Sequence, residues 1–192
     1  MVGVRHRYVK INNMRIVAGK YRHRNIIWPD EINYIRPTKD RVREAIFSAL
    51  GDINDYIVLD LYAGSGAMGI EALSRGAKYC YFVDINKVAI KTINANITNL
   101  AISEASVIAK DAFLALDEFV QNKVRFDLLI LDPPYETGEY EKAISILINN
   151  NLLNKNATLV VERNRTLNYD SFAFKSIKEY HYGDISVDII KL

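Results

Sequence analysis

The spacing of apolar and polar positions changes period several times along the chain, and each change marks an element. Tyr56 to Leu61 is a compact apolar run of strand type, and Met68 to Arg75, stopped by Gly76, follows it with helical spacing. Tyr79 to Val83, ending at Asp84, reads as a second strand, and the next helix carries Ala89, Ile90, Ile93, Ile97 and Leu100 on one face. Ser106 to Ala109 is a third strand, ending before Asp111, and a short helix with Phe113, Leu116 and Phe119 comes after it. Phe126 to Leu131 is almost wholly apolar, the pattern of a central strand covered on both faces. Tyr140 to Asn149 returns to helical spacing, an Asn-rich loop runs from Asn149 to Asn156, and Thr158 to Val161 is a fifth strand ending at Glu162. Ser171 to Tyr180 and Ile185 to Ile190 have only the turn Tyr182-Gly183-Asp184 between them. They predict an antiparallel hairpin closing an otherwise parallel α/β sheet.

The first fifty residues follow a different plan. Met14 to Ala18 and Asn25 to Trp28 flank Gly19-Lys20-Tyr21-Arg22-His23-Arg24, a small hairpin with a basic tip. Pro37-Thr38 then opens a helix, with Thr38 as N-cap and Val42, Ala45, Ile46, Ala49 and Leu50 on the inner face. Lys39, Arg41 and Arg43 are expected to point outward with Asp40 and Glu44. The chain thus divides into a basic extension, hairpin and helix over 1–50, packed on a main domain over 51–192.

Composition narrows the class. The 192 residues suffice for one ordinary core. No apolar run approaches the ~18 residues of a membrane span. Met1 to Lys10 lacks the apolar centre of a signal peptide, and the lone Cys80 excludes an internal disulfide, so a cytoplasmic, reducing compartment is expected. The formal charge of +2 hides an asymmetry: residues 1–29 carry +7 and no acid, while the remaining 18 basic and 23 acidic residues leave −5. Charge gathered at one end suits a nucleic-acid arm, with Arg15, Lys20, Arg22 and Arg24 as its candidates; a solvated tail is the bland alternative.

Candidate chemistry collects at strand ends. Asp60-Leu61-Tyr62-Ala63-Gly64-Ser65-Gly66 is a glycine-rich turn from strand to helix, where backbone amides can face a nucleotide-like ligand; a purely structural turn is the other reading. Asp84 lies 24 residues after Asp60, near the ~20-residue interval at which an acid grips ribose hydroxyls. Asp111-Ala112 would meet an adenine edge, or Asp111 would cap the following helix. Asp132-Pro133-Pro134-Tyr135 is the most specific stretch: two prolines stiffen a set of acceptors beside a carboxylate, and the ring offers a stacking face for a base. No histidine sits at a strand end, so no metal is expected.

These stretches, with Met14-Arg15-Ile16-Val17-Ala18-Gly19 and Arg36-Pro37-Thr38-Lys39-Asp40-Arg41-Val42-Arg43-Glu44-Ala45, make the chain resemble a class I S-adenosylmethionine-dependent methyltransferase. More narrowly it resembles the bacterial 16S rRNA guanine-N2 methyltransferases of the RsmD family, over Met14 to about Tyr182. The resemblance implies a Rossmann-like sheet of seven strands with one antiparallel. It implies that Asp60, Gly64 and Gly66 surround the methionine part of the cofactor, Asp84 its ribose and Asp111-Ala112 its adenine. Thr38, Tyr62, Ala63 and Ile85 complete that set, and Asp132 to Tyr135 hold the target base. The implied partner is 16S rRNA or the small ribosomal subunit, met by a monomer through the basic hairpin. Tyr62 stands where Phe is usual, Asp84 where Glu is common, and His23 where the hairpin often has Gly. Residues 1–13 have no counterpart. An adenine-N6 methyltransferase also suits Asp-Pro-Pro-Tyr, although no separate target-recognition domain is visible. Protein-glutamine methylation and a noncatalytic assembly factor are the further alternatives.

Overall fold

The computed structural model describes residues 14–28, 40–133, 139–183 and 185–192. Strands β1 (Met14–Arg15) and β2 (Asn25–Ile26) pair antiparallel, Met14 opposite Ile26. The expected strands are longer, and the difference has a plain cause. The amides of Val17 and Ala18 donate to the Glu71 carboxylate at 2.8 and 3.0 Å, and both polar groups of Ile27 are taken by Asn96. These groups are therefore lost to the ladder. His23 adopts a left-handed φ of 67°, which accounts for the glycine expected there.

Helix α1 (Asp40–Leu50) buries Val42, Ile46 and Phe47, and also Arg43. Arg43 was expected to face solvent; it is instead fully buried, while Arg41 and Glu44 are exposed as expected. Its guanidinium lies 3.5 Å from the equally buried Glu71, 3.0 Å from Asp40 and 2.9 Å from the Met14 sulfur, and it donates to the carbonyl of Arg15. A buried carboxylate requires a hydrogen-bonded counter-charge, and that requirement overrides the helical pattern. Ala49, assigned to the inner face, is exposed. Lys39 and the expected cap Thr38 lie outside the described residues.

The alternating region follows: β3 (Ile57–Leu61), α2 (Ala67–Ser74), β4 (Tyr79–Asp84), α3 (Lys87–Leu100), β5 (Ala105–Ala109), α4 (Ala112–Gln121), β6 (Phe126–Leu131), α5 (Glu139–Asn149), β7 (Leu153–Arg163), β8 (Ser176–Tyr182) and β9 (Ile185–Lys191). The seven-stranded sheet has the order β5-β4-β3-β6-β7-β9-β8, with β9 antiparallel to both neighbours and β6 at the centre. The predicted Asn-rich loop is shorter than expected, because β7 begins at Leu153. A register shift between Phe126 and Leu128 accommodates it, and Asn154 donates to Asp127 of β6 at 2.6 Å.

Strand alternation sends side chains to two cores. Val58, Phe82, Leu128, Ile130 and Val160 pack with α2, α3, the hairpin and α1, through Ile93, Ile70, Ile16 and Phe47. Leu59, Leu61, Leu129, Leu131 and Val161 pack with α4 and α5, through Phe119 and Ile144. Cys80 is free and buried in the first core. No described helix is long and apolar enough to cross a membrane. The chain leaves the sheet outward from β3 and returns to β6, so the crevice between these two strands is the switch point where such folds hold ligands.

Candidate active site

The turn after β3 is held open by three left-handed residues, Tyr62 (φ 68°), Gly64 (57°) and Gly66 (78°). Ala63 donates to the carbonyl of Val83 at 2.9 Å, which ties the turn to β4, and Gly66 donates to Ala63 at 2.7 Å. Gly66 is also the N-cap of α2 and has no side chain with which to cap it, but Asp60 accepts from the Gly69 amide in the first turn. The amides of Ala67 and Met68 are left at the mouth of the crevice, the arrangement that favours an anionic or polar ligand. Gly69 serves packing instead: a Cβ there would stand 2.3 Å from the Phe82 ring and 2.6 Å from the Cys80 sulfur.

Asp60 is buried beneath this turn, and one of its oxygens accepts from the Gly69 amide at 2.9 Å. Burial raises its carboxyl pKa to about 7 despite that hydrogen bond, with the nearby Asp84 adding to the rise. Asp84 at the end of β4 accepts from Gly64 at 2.8 Å and from Asn86 at 2.8 Å, so it braces the glycine turn directly. Asn86 caps α3, accepting from Val88 at 2.8 Å and Ala89 at 3.3 Å. Asp111 caps α4, one of its two expected roles, accepting from Phe113 at 2.9 Å and Leu114 at 3.3 Å through one oxygen, so the cap leaves its second oxygen unused. Ala112 is buried behind it, whereas Ile85 is 71% exposed and Leu114 60% exposed at the same sheet edge. Exposed apolar side chains following two neighbouring strands give the crevice a face for a flat ring.

Register and alternation then join residues from three central strands. Asp60 pairs with Ile130 in β6, and Leu131 pairs with Val161 in β7. Asp60, Asp132 and Glu162 therefore project on one face, at the carboxyl ends of adjacent strands. Asp132 accepts no hydrogen bond among the described residues, and burial, the Glu162 carboxylate and Asp60 push its pKa well up. Pro133 follows it, buried. The hydroxyl of Tyr62 is also buried without a hydrogen bond of normal geometry, and burial together with Glu139 raises its pKa. Pro134, Tyr135 and Thr38 lie outside the described residues. The position of Glu162 beside Asp132 could have been found from strand parity alone; the roles of Asn96 and Glu71 left no pattern in the sequence. Among the described residues no group of three or more His, Cys, Asp or Glu could hold a metal.

Arg15, Lys20, Arg22 and Arg24 are all exposed on the hairpin. Their turn is docked at the C-terminal end of α2: Lys20 donates to the carbonyl of Ser74 at 2.7 Å, and Tyr21 to its hydroxyl at 2.9 Å. Arg24 reaches the carbonyl of Asn99 near the end of α3 at 2.9 Å. The basic tip is thus one α2 length from the glycine turn, ~12 Å for its eight residues.

Residues 14–191 match the protein family described as Conserved hypothetical protein 95. The chain belongs to this family. Among its relatives, the ribosomal RNA small subunit methyltransferase D of Haemophilus influenzae is 39% identical over 152 residues, 78% of each chain. Escherichia coli yhhF superposes with a TM-score of 0.81 at 30% identity, over 93% of this chain and 97% of that one. The fold alone is shared with the Thermus thermophilus 16S rRNA N2 G1207 methyltransferase RsmC, solved with AdoMet and guanosine. That match has a TM-score of 0.71 at 19% identity, over 95% of this chain and 50% of RsmC. The family is that of the RsmD rRNA methyltransferases, as the sequence motifs implied.

Proposed function

We propose that this protein transfers a methyl group from S-adenosylmethionine to the exocyclic N2 of a guanine in small-subunit rRNA. The observation that carries the reading is Asp132, a desolvated carboxylate without a hydrogen-bond partner among the described residues, beside the switch-point crevice. A carboxylate so placed calls for a donor from a ligand, and an exocyclic amine provides one. The residues of the crevice fit the methyl donor. The first two amides of α2 and the glycine turn face it, and Asp84 retains acceptor capacity beyond the amides of Gly64, Asn86 and Ile85. Exposed Ile85 and Leu114 suit the adenine. When bound, the donor supplies an activated methyl on a sulfonium, and leaves as S-adenosylhomocysteine.

The chain's own work is to position and to desolvate. Asp132 and the Pro133 carbonyl accept from the amine, which localises its lone pair toward the methyl and stabilises the positive charge growing on nitrogen. Asp132 then takes the proton that the methylated nitrogen sheds. Tyr135 stacks on the base, Thr38 lines the donor pocket, and Arg15, Lys20, Arg22 and Arg24 hold the RNA backbone. The enzyme acts as a cytoplasmic monomer on 16S rRNA within the small subunit.

The test is incubation with labelled S-adenosylmethionine and small subunits from cells lacking this gene, followed by mapping of the labelled base. Label on guanine N2 is expected. Label on adenine N6 overturns the guanine reading, and donor binding without transfer to any particle favours a noncatalytic assembly factor.

A further inference from the structure

Asn96 is a buried residue of α3, 1% exposed. Its side-chain oxygen accepts from the Ile27 amide at 2.7 Å, and its nitrogen donates to the carbonyls of Ile27 at 3.0 Å and Ser65 at 3.1 Å. Ile27 follows β2 of the basic hairpin, and Ser65 lies between the two glycines of the crevice turn. One planar amide with an acceptor and two donors therefore joins the arm to the turn.

The third of these bonds reaches beyond packing. The Ser65 carbonyl and the Gly66 amide belong to a single rigid peptide plane. Gly66 donates to Ala63 at 2.7 Å, so the plane is held at one end by the turn itself and at the other by Asn96. One helical turn earlier Ile93 supports the same peptide, since a Cβ on Gly66 would stand 3.2 Å from its side chain. If Ile27 moves, the Asn96 head group cannot follow it and still reach Ser65.

We propose that Asn96 is a positioning residue that couples RNA held on the hairpin to the setting of the Ser65–Gly66 peptide, and so to affinity for the methyl donor. The inference rests on the proposed function, in which the hairpin meets RNA and the turn meets the donor. Because coupling between two sites is reciprocal, donor binding also tightens the grip on RNA.

The experiment measures the affinity of unreactive S-adenosylhomocysteine with and without saturating RNA, supplied as an unmodified small-subunit rRNA transcript or as subunits reconstituted on it. RNA is expected to tighten binding in the wild type by about fivefold or more. Asn96→Asp keeps the acceptor for Ile27 but sets an oxygen against two carbonyls, and should bring that ratio to about one while each ligand still binds alone. Asn96→Ala, which carries no buried charge, should do the same. Asn94→Ala is the control, because Asn94 is exposed and bonds only within its helix, to Ile90 at 2.9 Å. A merely structural Asn96 would lower the melting temperature and leave the ratio intact, and that result, or a wild-type ratio of one, overturns the proposal. Should neither Asn96 variant fold, hydrogen exchange of the wild type decides. The transcript alone must slow exchange at Gly66, and an unchanged rate refutes the coupling. A wild type that binds neither RNA form counts against the proposed function itself, and the coupling falls with it.

Discussion

At the residue scale buried Asp60 and half-buried Asp132 differ in what satisfies them. Asp60 gives one oxygen to the Gly69 amide, whereas Asp132 accepts nothing among the described residues. Asp132→Ala should therefore lower kcat by ~10²-fold or more while donor affinity by calorimetry stays nearly constant, since only the reacting amine loses its partner. Because burial raises the Asp132 pKa, kcat in the wild type should fall as pH drops through that raised value, where the carboxyl is protonated and cannot take the proton. Asp60 has a consequence for stability. Its folded-state pKa of about 7 exceeds the 3.8 of an ordinary aspartate, so the folded protein binds a proton that the unfolded chain releases between those limits. Stability should decline as pH rises from about 4 to about 7, the charged form costing of order 4 kcal/mol above that window. Asp60→Asn keeps the acceptor for Gly69 and removes the charge. It should raise the melting temperature at pH 8, with the gain shrinking toward pH 5.

At the scale of elements, the alternation of strand and helix was readable because buried parallel strands and one-sided helices leave different periods. The hairpin strands and Arg43 were not, for a common reason. Glu71 sits in the buried face of α2, where it receives the Val17 and Ala18 amides and two guanidiniums, Arg43 at 3.5 Å and Arg75 at 2.8 Å. No local pattern can reveal that a carboxylate in one helix will consume donors 28 and 54 residues away. Glu71→Ala should leave the Val17 and Ala18 amides unpaired, take from buried Arg43 one of its two carboxylates, and cost ~3–5 kcal/mol in denaturant unfolding, far more than loss of the exposed pair between Arg165 and Glu141. The site was legible to a similar degree. Glycines and strand-end acids announced the crevice, while the choice of Asp111 as a helix cap depended on a geometry its sequence left open.

At the scale of the whole molecule, charge is separated from chemistry. The four exposed basic side chains of the hairpin stand apart from the crevice, because their turn is anchored by Ser74 at the opposite end of α2. Replacing Lys20, Arg22 and Arg24 together by Ala should weaken RNA binding across sequences and reduce the slope of log affinity against log salt by ~2 to 3. Binding of the methyl donor alone should not change. An unaltered salt slope would show that the hairpin does not meet phosphate.

The anchoring of that turn turns the fold into a gauge. On the proposed function, an RNA that touches the tip and also reaches the glycine turn bridges the ~12 Å length of α2. One nucleotide cannot reach from one to the other; at ~3.4 Å per stacked nucleotide the span takes about four. The proposed enzyme would then choose its nucleotide by where the surrounding RNA architecture carries it, more than by the neighbouring letters.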